Sequence, residues 1–302
     1  MSALASPPHL SVVAATLRAA GCVFAEDEAQ LLVTAATTPV ELAAMVDRRV
    51  AGLPLEQVLG WAQFLGLRIG VAPGVFVPRR RTELLARQAA ALTGRANRPR
   101  PVVVDLCCGS GAVGAAIAAA APGIRLYATD IDPAAVRCAA TNLDATGGTV
   151  YEGDLYAALP ATLRGRIDVL VANAPYVPTD AIGMLPPEAR DYESRVALDG
   201  GVDGLDVQRR IAAGASDWLA PGGHVLIETS DRQAPATVQA LRRNGLAARV
   251  ARSAALDATV VIGRHRPSNT RSPVSTITTA TNASSDCQAR RPVNSGVSSR
   301  DP

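Results

Sequence analysis

The sequence predicts an α/β fold in which a doubly wound, seven-stranded sheet follows a small helical domain and a β-hairpin linker. From Pro101 onward, short apolar runs alternate with amphipathic stretches, which is the pattern of parallel strands joined by helices. Two of the runs, residues 102–105 and Ile167–Ala172, are apolar almost throughout, as strands covered on both faces are. The first 52 residues carry helix-start signals instead.

Residues 1–52 are predicted to form the helical domain. An amphipathic segment occupies residues 10–20, and the acidic run 26–28 suits the positively polarised start of a second helix. At a third start, Thr38 can cap the helix, a proline follows at the first helical position, and Glu41 can close a capping box. Two interpretations stay open: a helical cover for the larger domain, or a platform on which a protein substrate docks.

Residues 53–81 are punctuated by glycine, and apolar residues partly alternate with others between 64 and 71, which predicts a β-hairpin linker. Three arginines, 79–81, close this segment. We interpret them as a solvated hinge in which one arginine pairs with a carboxylate, in preference to a phosphate-binding patch. Thr82 is then expected to cap a helix that runs to about residue 92.

Residues 82–266 are predicted to form the α/β domain. Its strands are expected at residues 102–105, 125–129, 149–152, 167–172, 224–228, about 248–252 and about 258–263. Its later helices are expected after Gly111 and over residues 132–143, 205–219 and 234–243. Beyond Arg266 the composition turns to Ser, Thr, Asn, Pro and Arg, so residues 267–302 are predicted to be a disordered tail.

Charge argues against a nucleic-acid-binding function. The chain of 302 residues has a formal net charge of +3. The tail carries +2 of this, so the body lacks the basic field that nucleic-acid binders usually show. We therefore expect that nucleic acid is not the direct substrate.

The sequence also argues against a membrane protein, a secreted protein and a metal site. No uncharged apolar run reaches the ~18 residues that a membrane span needs, and no basic segment precedes the first apolar stretch. The five cysteines show neither metal-binding nor disulfide spacing, which fits a reduced cytoplasm.

A glycine-rich turn follows the first strand of the sheet. Asp105 leads this turn, and Cys107, Gly109 and Gly111 form it. The spacing differs from the Gly-x-Gly-x-x-Gly of dinucleotide oxidoreductases, which excludes a dehydrogenase. An acidic residue ahead of two glycines resembles the turn that binds S-adenosylmethionine (SAM), and this implies that Asp105 binds the ammonium group of that cofactor through water or backbone. An aspartate that only stabilises the turn is the alternative. Cys107 suits such a turn only if its φ is negative.

Two further carboxylates follow the next strands. Asp130 lies about 20 residues past the glycine turn, where a carboxylate can accept the ribose hydroxyls. Asp132 precedes a proline and is assigned to capping a helix. Asp154 and Leu155 follow the third strand and are positioned for the amino group and the ring face of adenine.

The fourth strand ends in Asn173-Ala174-Pro175-Tyr176. A planar amino nitrogen is a poor nucleophile, because its lone pair is delocalised. Two acceptors, the Asn173 side-chain oxygen and the Ala174 carbonyl, can fix both of its N–H bonds and aim the nitrogen at a methyl group. Tyr176 supplies an aromatic wall for a flat substrate, and Asn173 is expected to border the cofactor as well.

These features resemble the HemK-type protein-(glutamine-N5) methyltransferases over roughly residues 8–264. Besides the turn and the tetrapeptide, the similarity includes residues 52–55, Gly60, Phe64, Gly66, residues 74–79, Thr82, Glu83, residues 193–206, residues 221–223 and Glu228. The resemblance implies a class I SAM-methyltransferase fold that is Rossmann-like, with SAM as cofactor. It also implies methyl transfer to the glutamine of the Gly-Gly-Gln motif in a peptide chain release factor.

The chain departs from the family pattern at a few positions. Ala174 replaces the first proline of Asn-Pro-Pro-Tyr but keeps a backbone carbonyl, so activity is expected to remain. Cys107 stands where relatives commonly carry glycine, and Arg80 and Arg81 replace the more usual Pro-Glu. The helical domain looks short compared with relatives, which leaves another protein substrate open, such as a ribosomal protein glutamine.

Two other functions remain open. Similar Asn-Pro-Pro-Tyr sites methylate the exocyclic amine of adenine or cytosine, but a duplex substrate requires base flipping and phosphate contacts. The near-neutral body and the absence of a recognition domain argue against it. A non-catalytic SAM-binding partner protein is the alternative outside enzymes, and retention of Asp105, Asp130, Asn173 and Tyr176 argues against it.

Overall fold

The computed structural model of the protein describes residues 10–96 and 98–266. The predicted tail, 267–302, lies outside these residues. None of the helices in the described part of the chain has the length and apolarity that crossing a membrane requires.

Ten α-helices form within the described residues. They are α1 (Leu10–Ala19), α2 (Ala25–Ala35), α3 (Pro39–Val50), α4 (Leu55–Leu59), α5 (Glu83–Thr93), α6 (Ala112–Ala120), α7 (Pro133–Leu143), α8 (Pro187–Tyr192), α9 (Asp206–Trp218) and α10 (Ala234–Arg243). All were expected except α4 and α8, which lie in segments interpreted as the linker and a long loop.

Nine β-strands form within the described residues. They are β1 (Trp61–Phe64), β2 (Leu67–Gly70), β3 (Val102–Leu106), β4 (Arg125–Asp130), β5 (Thr149–Glu152), β6 (Ile167–Ala172), β7 (Leu219–Thr229), β8 (Leu246–Ser253) and β9 (Ala258–His265). The predicted hairpin is confirmed as the antiparallel pair β1–β2.

The other seven strands form one sheet in the order β5-β4-β3-β6-β7-β9-β8. The strands from β5 to β7 in this order pair in parallel, and β9 pairs antiparallel with both β7 and β8. Hydrophobic clusters lie on both faces of the sheet, as a doubly wound fold requires. The predicted fold class is therefore confirmed.

The strand β7 begins earlier than predicted. The Pro221-Gly222-Gly223 segment was expected to be a turn before the strand, but it lies inside β7, where the register to β6 shifts. A Cβ on Gly223 would lie 2.6 Å from the carbonyl oxygen of Ile167, so only glycine lets the two backbones approach here.

The first three helices share a small apolar cluster of their own. Thr38 caps α3 as predicted, since its hydroxyl accepts a hydrogen bond from the Glu41 N–H at 3.1 Å. The Glu41 carboxylate, however, accepts from the N–H of Thr37 at 2.8 Å and not from that of Thr38. The predicted capping box is thus wrong by one residue: the Glu41 carboxylate bonds to Thr37 in place of Thr38. It accepts a second hydrogen bond there, from the Thr37 hydroxyl.

Arg49 joins the helical segment to the larger domain. Arg49 is 7% exposed, and its guanidinium forms two hydrogen bonds with the buried Glu28, at 2.6 and 3.1 Å. It also lies 2.7 Å from Glu188 at the start of α8. Nearby, the Tyr192 hydroxyl donates to the Ala51 carbonyl at 2.8 Å. Since α8 belongs to the loop after β6, these contacts connect α2 and α3 with the edge of the cavity described below.

A second connection joins the hairpin to the glycine turn. The Asn142 side chain on α7 accepts from the Gly70 N–H at 2.9 Å and donates to the carbonyls of Gly70 and Ser110, both at 2.8 Å. One amide therefore holds β2 and the turn after β3 together.

Candidate active site

A cavity of about 390 Å³ opens at the carboxyl ends of β3, β4 and β6. The strand order diverges here, because β4 lies on one side of β3 and β6 on the other, and open α/β sheets bind ligands at such a point. The structure brings all the predicted site residues except Gly111 to this cavity. Those that line it are Asp105, Cys107, Gly109, Asp130, Asp154, Leu155, Asn173, Ala174, Pro175 and Tyr176.

Gly111 serves a different purpose from the one expected. It begins α6 with a φ of +77°, and a Cβ at this position would lie 3.2 Å from Ala139 and Leu143. Glycine therefore allows α6 to pack closely against α7. Gly111 shapes the turn and does not border the cavity.

The backbone of Cys107 corrects the expectation of a negative φ. Its φ is +55°, in the left-handed region that costs a residue with a Cβ roughly 1–2 kcal/mol. The turn is fixed on both sides, because the Cys108 N–H donates to the Thr129 carbonyl at 3.0 Å and the Gly109 N–H donates to Asp130 at 2.8 Å. Burial raises the pKa of the Cys107 and Cys108 thiols, so both stay protonated and weakly reactive.

Cys107→Gly is expected to raise the free energy of unfolding by about 1 kcal/mol, because it removes the left-handed strain from the folded state. The greater conformational entropy of glycine in the unfolded chain offsets only part of this gain. Thermal unfolding of the variant measures this gain. Cys108→Gly is the matched control, since the φ of Cys108 is not positive, and it should destabilise the protein. Equal destabilisation by both changes would contradict the strain at Cys107.

Asp105 and Asp130 place two carboxyl groups in the cavity, the first buried and the second half-buried. Asp105 is 1% exposed and accepts from the Gly114 N–H at 2.9 Å, and burial raises its pKa to about 7. The two oxygens of Asp130 accept from the N–H groups of Gly109 and Asp132, at 2.8 and 2.9 Å. Each of these Asp130 oxygens keeps a lone pair for a ligand.

The remaining residues on this side close the cavity. Asp154 forms an exposed pair with Arg210 at 2.5 Å, so one of its oxygens is already engaged. Leu155 is buried, with a φ of +49° that turns the chain after β5. Asp132 caps α7 as predicted, accepting from the Ala134 N–H at 2.8 Å.

This set of groups fits SAM. Two carboxyl groups in a largely apolar cavity suit a ligand that carries an ammonium group and paired hydroxyls. The glycine turn leaves open space where a Cβ on Gly109 would point, so a ligand can approach the backbone closely.

The Asn173 carboxamide contacts a residue that the sequence assigned elsewhere. Its Nδ2 donates to the Thr82 hydroxyl at 3.4 Å, which directs the carboxamide oxygen to the opposite side. Thr82 was expected to cap α5, but its hydroxyl makes no capping bond there. Its φ of −67° is helical, so the side chain turns inward and is 2% exposed.

A charged group lies behind Tyr176. The Arg81 guanidinium carbon is 5.9 Å from the centroid of the Tyr176 ring, and Arg81 Nε is 3.4 Å from the Glu228 carboxylate. Burial raises the pKa of Glu228, and the neighbouring Thr82 hydroxyl and Arg81 offset part of the rise. Burial likewise raises the pKa of Tyr176, so its hydroxyl stays protonated.

Two arginines of the run 79–81 form ion pairs, and the interpretation of the run as a hinge stays a prediction. Arg79 lies 2.6 Å from the Glu193 carboxylate, and that carboxylate also accepts from the Val77 N–H at 3.1 Å. Two arginines therefore pair with buried carboxylates, where the sequence predicted one. Arg80 is exposed and does not line the cavity.

Glycines brace the tetrapeptide from behind. A Cβ on Gly200 would lie 2.8 Å from the Pro175 carbonyl oxygen, and one on Gly204 would overlap the Tyr176 carbonyl oxygen. The Gln233 side chain donates to that same oxygen at 3.0 Å. Sequence reasoning assigned Thr82 to a helix cap and Gln233 no role, so it missed the part of both residues in the site. Thr82 could have been found, because it is a polar residue within the segment that resembles the family. No signal in the sequence pointed to Gln233.

Comparison with known proteins agrees with this geometry. The family model described as "Methyltransferase small domain" matches residues 68–184. The chain is 37% identical over 212 residues to a release factor glutamine methyltransferase of Geobacter sulfurreducens, covering 68% of this chain and 72% of that protein. It is 40% identical over 205 residues to the enzyme of the same name from Moorella thermoacetica, covering 66% and 70%.

A relative with a different name matches about as well. The 4-amino-L-phenylalanine/4-methylamino-L-phenylalanine methyltransferase of Streptomyces pristinaespiralis is 37% identical over 201 residues, covering 66% of this chain and 68% of that protein. The first name specifies a glutamine of a release factor, and the second specifies two amino-substituted phenylalanines.

Proposed function

The chain belongs to the HemK-type protein-(glutamine-N5) methyltransferases and uses SAM, and on that premise we propose that it methylates the side-chain amide nitrogen of a glutamine in a peptide chain release factor. The observation that carries this proposal is the anchored amide of Asn173. Its nitrogen is held by Thr82, so its oxygen is left to accept from a substrate N–H. A nucleic acid is not proposed as the substrate, and a cytoplasmic location follows from a substrate in translation.

The tetrapeptide supplies what a glutamine amide needs. When bound, SAM supplies an electrophilic methyl group on its sulfonium. The Asn173 oxygen and the Ala174 carbonyl each accept one N–H bond of the amide, which fixes the nitrogen in line with that group. Tyr176 and Pro175 pack against the flat amide. No strong base is required before transfer, because the nitrogen gains its acidity, and loses its proton, only after it is methylated.

The cofactor side is assigned to the carboxylates. Asp105 would hold the ammonium group of SAM, Asp130 the ribose hydroxyls, and Asp154 with Leu155 the adenine. Cys107 and Gly109 bring the turn close to the ligand. The buried position of Asp105 and the half-buried position of Asp130 support this assignment, since a carboxylate shielded from water favours a ligand that donates to it.

The affinity for S-adenosylhomocysteine is expected to depend on pH through Asp105. Its pKa is raised to about 7, and an ammonium group favours the ionised carboxylate. Protonation below this pKa therefore competes with binding, and the affinity should fall about tenfold from pH 8 to pH 6. Calorimetry at both pH values measures it, with release of a proton on binding near pH 6.5. Asp105→Asn should bind more weakly and lose this pH dependence. An unchanged slope would contradict the assignment.

Label transfer from methyl-labelled SAM tests the function. The protein is offered a release factor, a set of ribosomal proteins, 4-amino-L-phenylalanine and single-stranded or duplex nucleic acid, each separately. The proposal predicts label on the Gly-Gly-Gln glutamine, located by mass spectrometry of the digested release factor. A release factor whose Gly-Gly-Gln glutamine is replaced by glutamate is the control. Label on a different acceptor alone would replace the proposal.

A further inference from the structure

The acceptor end of the cavity carries a guanidinium, that of Arg81, whose paired carboxylate, Glu228, does not line the cavity. Arg81 lines the cavity and is 44% exposed, beside the Tyr176 ring. Its Nε lies 3.4 Å from the Glu228 carboxylate. The Tyr176 hydroxyl and the Glu228 carboxylate are its neighbours, and they can engage only part of the five N–H donors of a guanidinium. The guanidinium therefore keeps N–H donors for a ligand.

The other charges at this end are neutralised by their own partners. Arg79 pairs with Glu193 at 2.6 Å, and Glu188 pairs with Arg49 at 2.7 Å. Glu228, in contrast, is 1% exposed and does not line the cavity. A substrate that enters beside Tyr176 therefore contacts the positive charge of Arg81, whose paired carboxylate does not line the cavity.

Resting on the proposed methyl transfer, we propose that Arg81 is a specificity residue that binds a carboxylate on the methyl acceptor, close to the nitrogen that is methylated. A guanidinium presents a planar fork of donors that matches a carboxylate through two parallel bonds. The HemK-type pattern that this chain resembles usually has Pro-Glu where this chain has Arg80 and Arg81. The charge at position 81 is therefore opposite to that of the pattern. That reversal selects for an anionic acceptor and against a cationic one.

Two sources can supply this carboxylate. One is an acidic side chain next to the target glutamine in a protein. The other is the carboxylate of the acceptor itself, as in an amino acid that bears an aryl amine. Both place a negative charge near the reacting nitrogen, and the two arms of one experiment separate them.

The first arm measures peptide binding by calorimetry, with the protein loaded with S-adenosylhomocysteine. Three peptides carry Gly-Gly-Gln flanked by glutamate, glutamine or arginine. The native protein is expected to bind the glutamate peptide about tenfold more tightly than the arginine peptide, since one charge-assisted bond contributes ~1.5 kcal/mol. Arg81→Met should abolish this order and Arg81→Glu should reverse it. Arg80→Glu, an exposed neighbour outside the cavity, is the matched control and should keep it.

The second arm compares 4-amino-L-phenylalanine with its carboxamide, on the same variants. A preference for the free acid that disappears in Arg81→Met places the carboxylate on the acceptor itself. A preference confined to the peptides places it on a flanking side chain. Binding that ignores charge in both arms, or an order that is unchanged in Arg81→Met, overturns the inference.

The experiment separates this inference from the proposed function. Methyl transfer to the same acceptors is measured in parallel. Charge-dependent binding without transfer of a methyl group to any acceptor would contradict the proposed function and leave the role of Arg81 standing. Transfer to glutamine with equal efficiency for all flanking charges would do the reverse. Arg81→Met is used beside Arg81→Glu because a glutamate next to the buried Glu228 introduces repulsion of its own.

Discussion

Asn173→Ala should reduce the rate of methyl transfer by about 100-fold or more, because it removes one of the two acceptors that hold the substrate nitrogen in line. The rate is measured under single turnover with saturating SAM and acceptor, so that it reports the transfer step. The affinity for S-adenosylhomocysteine should fall by less than tenfold, since the carboxylates of Asp105 and Asp130 lie on other strands.

The control for this change is Asn244→Ala, an asparagine whose side chain donates to the Ala240 carbonyl outside the cavity. Thr82→Val tests the anchoring itself: it removes the group that holds Nδ2 of Asn173 and should slow transfer less than Asn173→Ala does. Full activity of Asn173→Ala would remove the tetrapeptide from the mechanism. A loss confined to SAM affinity would assign Asn173 to the cofactor alone.

Arg49→Ala should lower the free energy of unfolding by about 3 kcal/mol, because it leaves the Glu28 carboxylate buried without its partner. Glu28 is 8% exposed, so water cannot replace the lost guanidinium fully. The same change frees Glu188, 2.7 Å away in the native protein. Denaturant unfolding measures the stability. The KM for the protein substrate should rise as well, since α8 borders the cavity.

Two variants make this prediction specific. Arg48→Ala changes the exposed neighbour and should cost less than about 1 kcal/mol, near the limit for surface substitutions. The double variant Glu28→Gln, Arg49→Met removes both charges and should recover most of the stability. If Arg49→Ala and Arg48→Ala destabilised the protein equally, the buried pair would not hold the helices.

Sequence periodicity predicted the sheet and most helices because burial on both faces leaves a continuous apolar run. The bounds of β5 and β6 agree with prediction to the residue. The side chains at the ends of the strands were also predictable, because parallel strands bring their carboxyl ends to one edge. This is why the order of the strands along the chain was enough to group Asp105, Asp130 and Asn173.

The features that were not predicted depend on contacts between distant segments. Glu188 is 139 residues from Arg49 in the printed sequence, and no local pattern links the two. Threonine is a residue type that commonly caps helices, yet the Thr82 hydroxyl accepts a hydrogen bond from Asn173, which follows β6. The φ of Cys107 follows from hydrogen bonds of its neighbours to β4 and not from its own preference. In each case a tertiary contact overrides the local signal.

The glycines behind the tetrapeptide matter for deciding which homologous sequences encode active enzymes. Catalytic competence is commonly assigned from a short signature alone. Here the carbonyls of Pro175 and Tyr176 rest directly against Gly200 and Gly204, with no room for a methyl group. A homologue that keeps Asn173 and Tyr176 but carries alanine or a larger residue at the position of Gly204 would have its backbone displaced. A search profile that scores these glycines together with the tetrapeptide would separate working enzymes from degenerate paralogues that the signature alone would count as active.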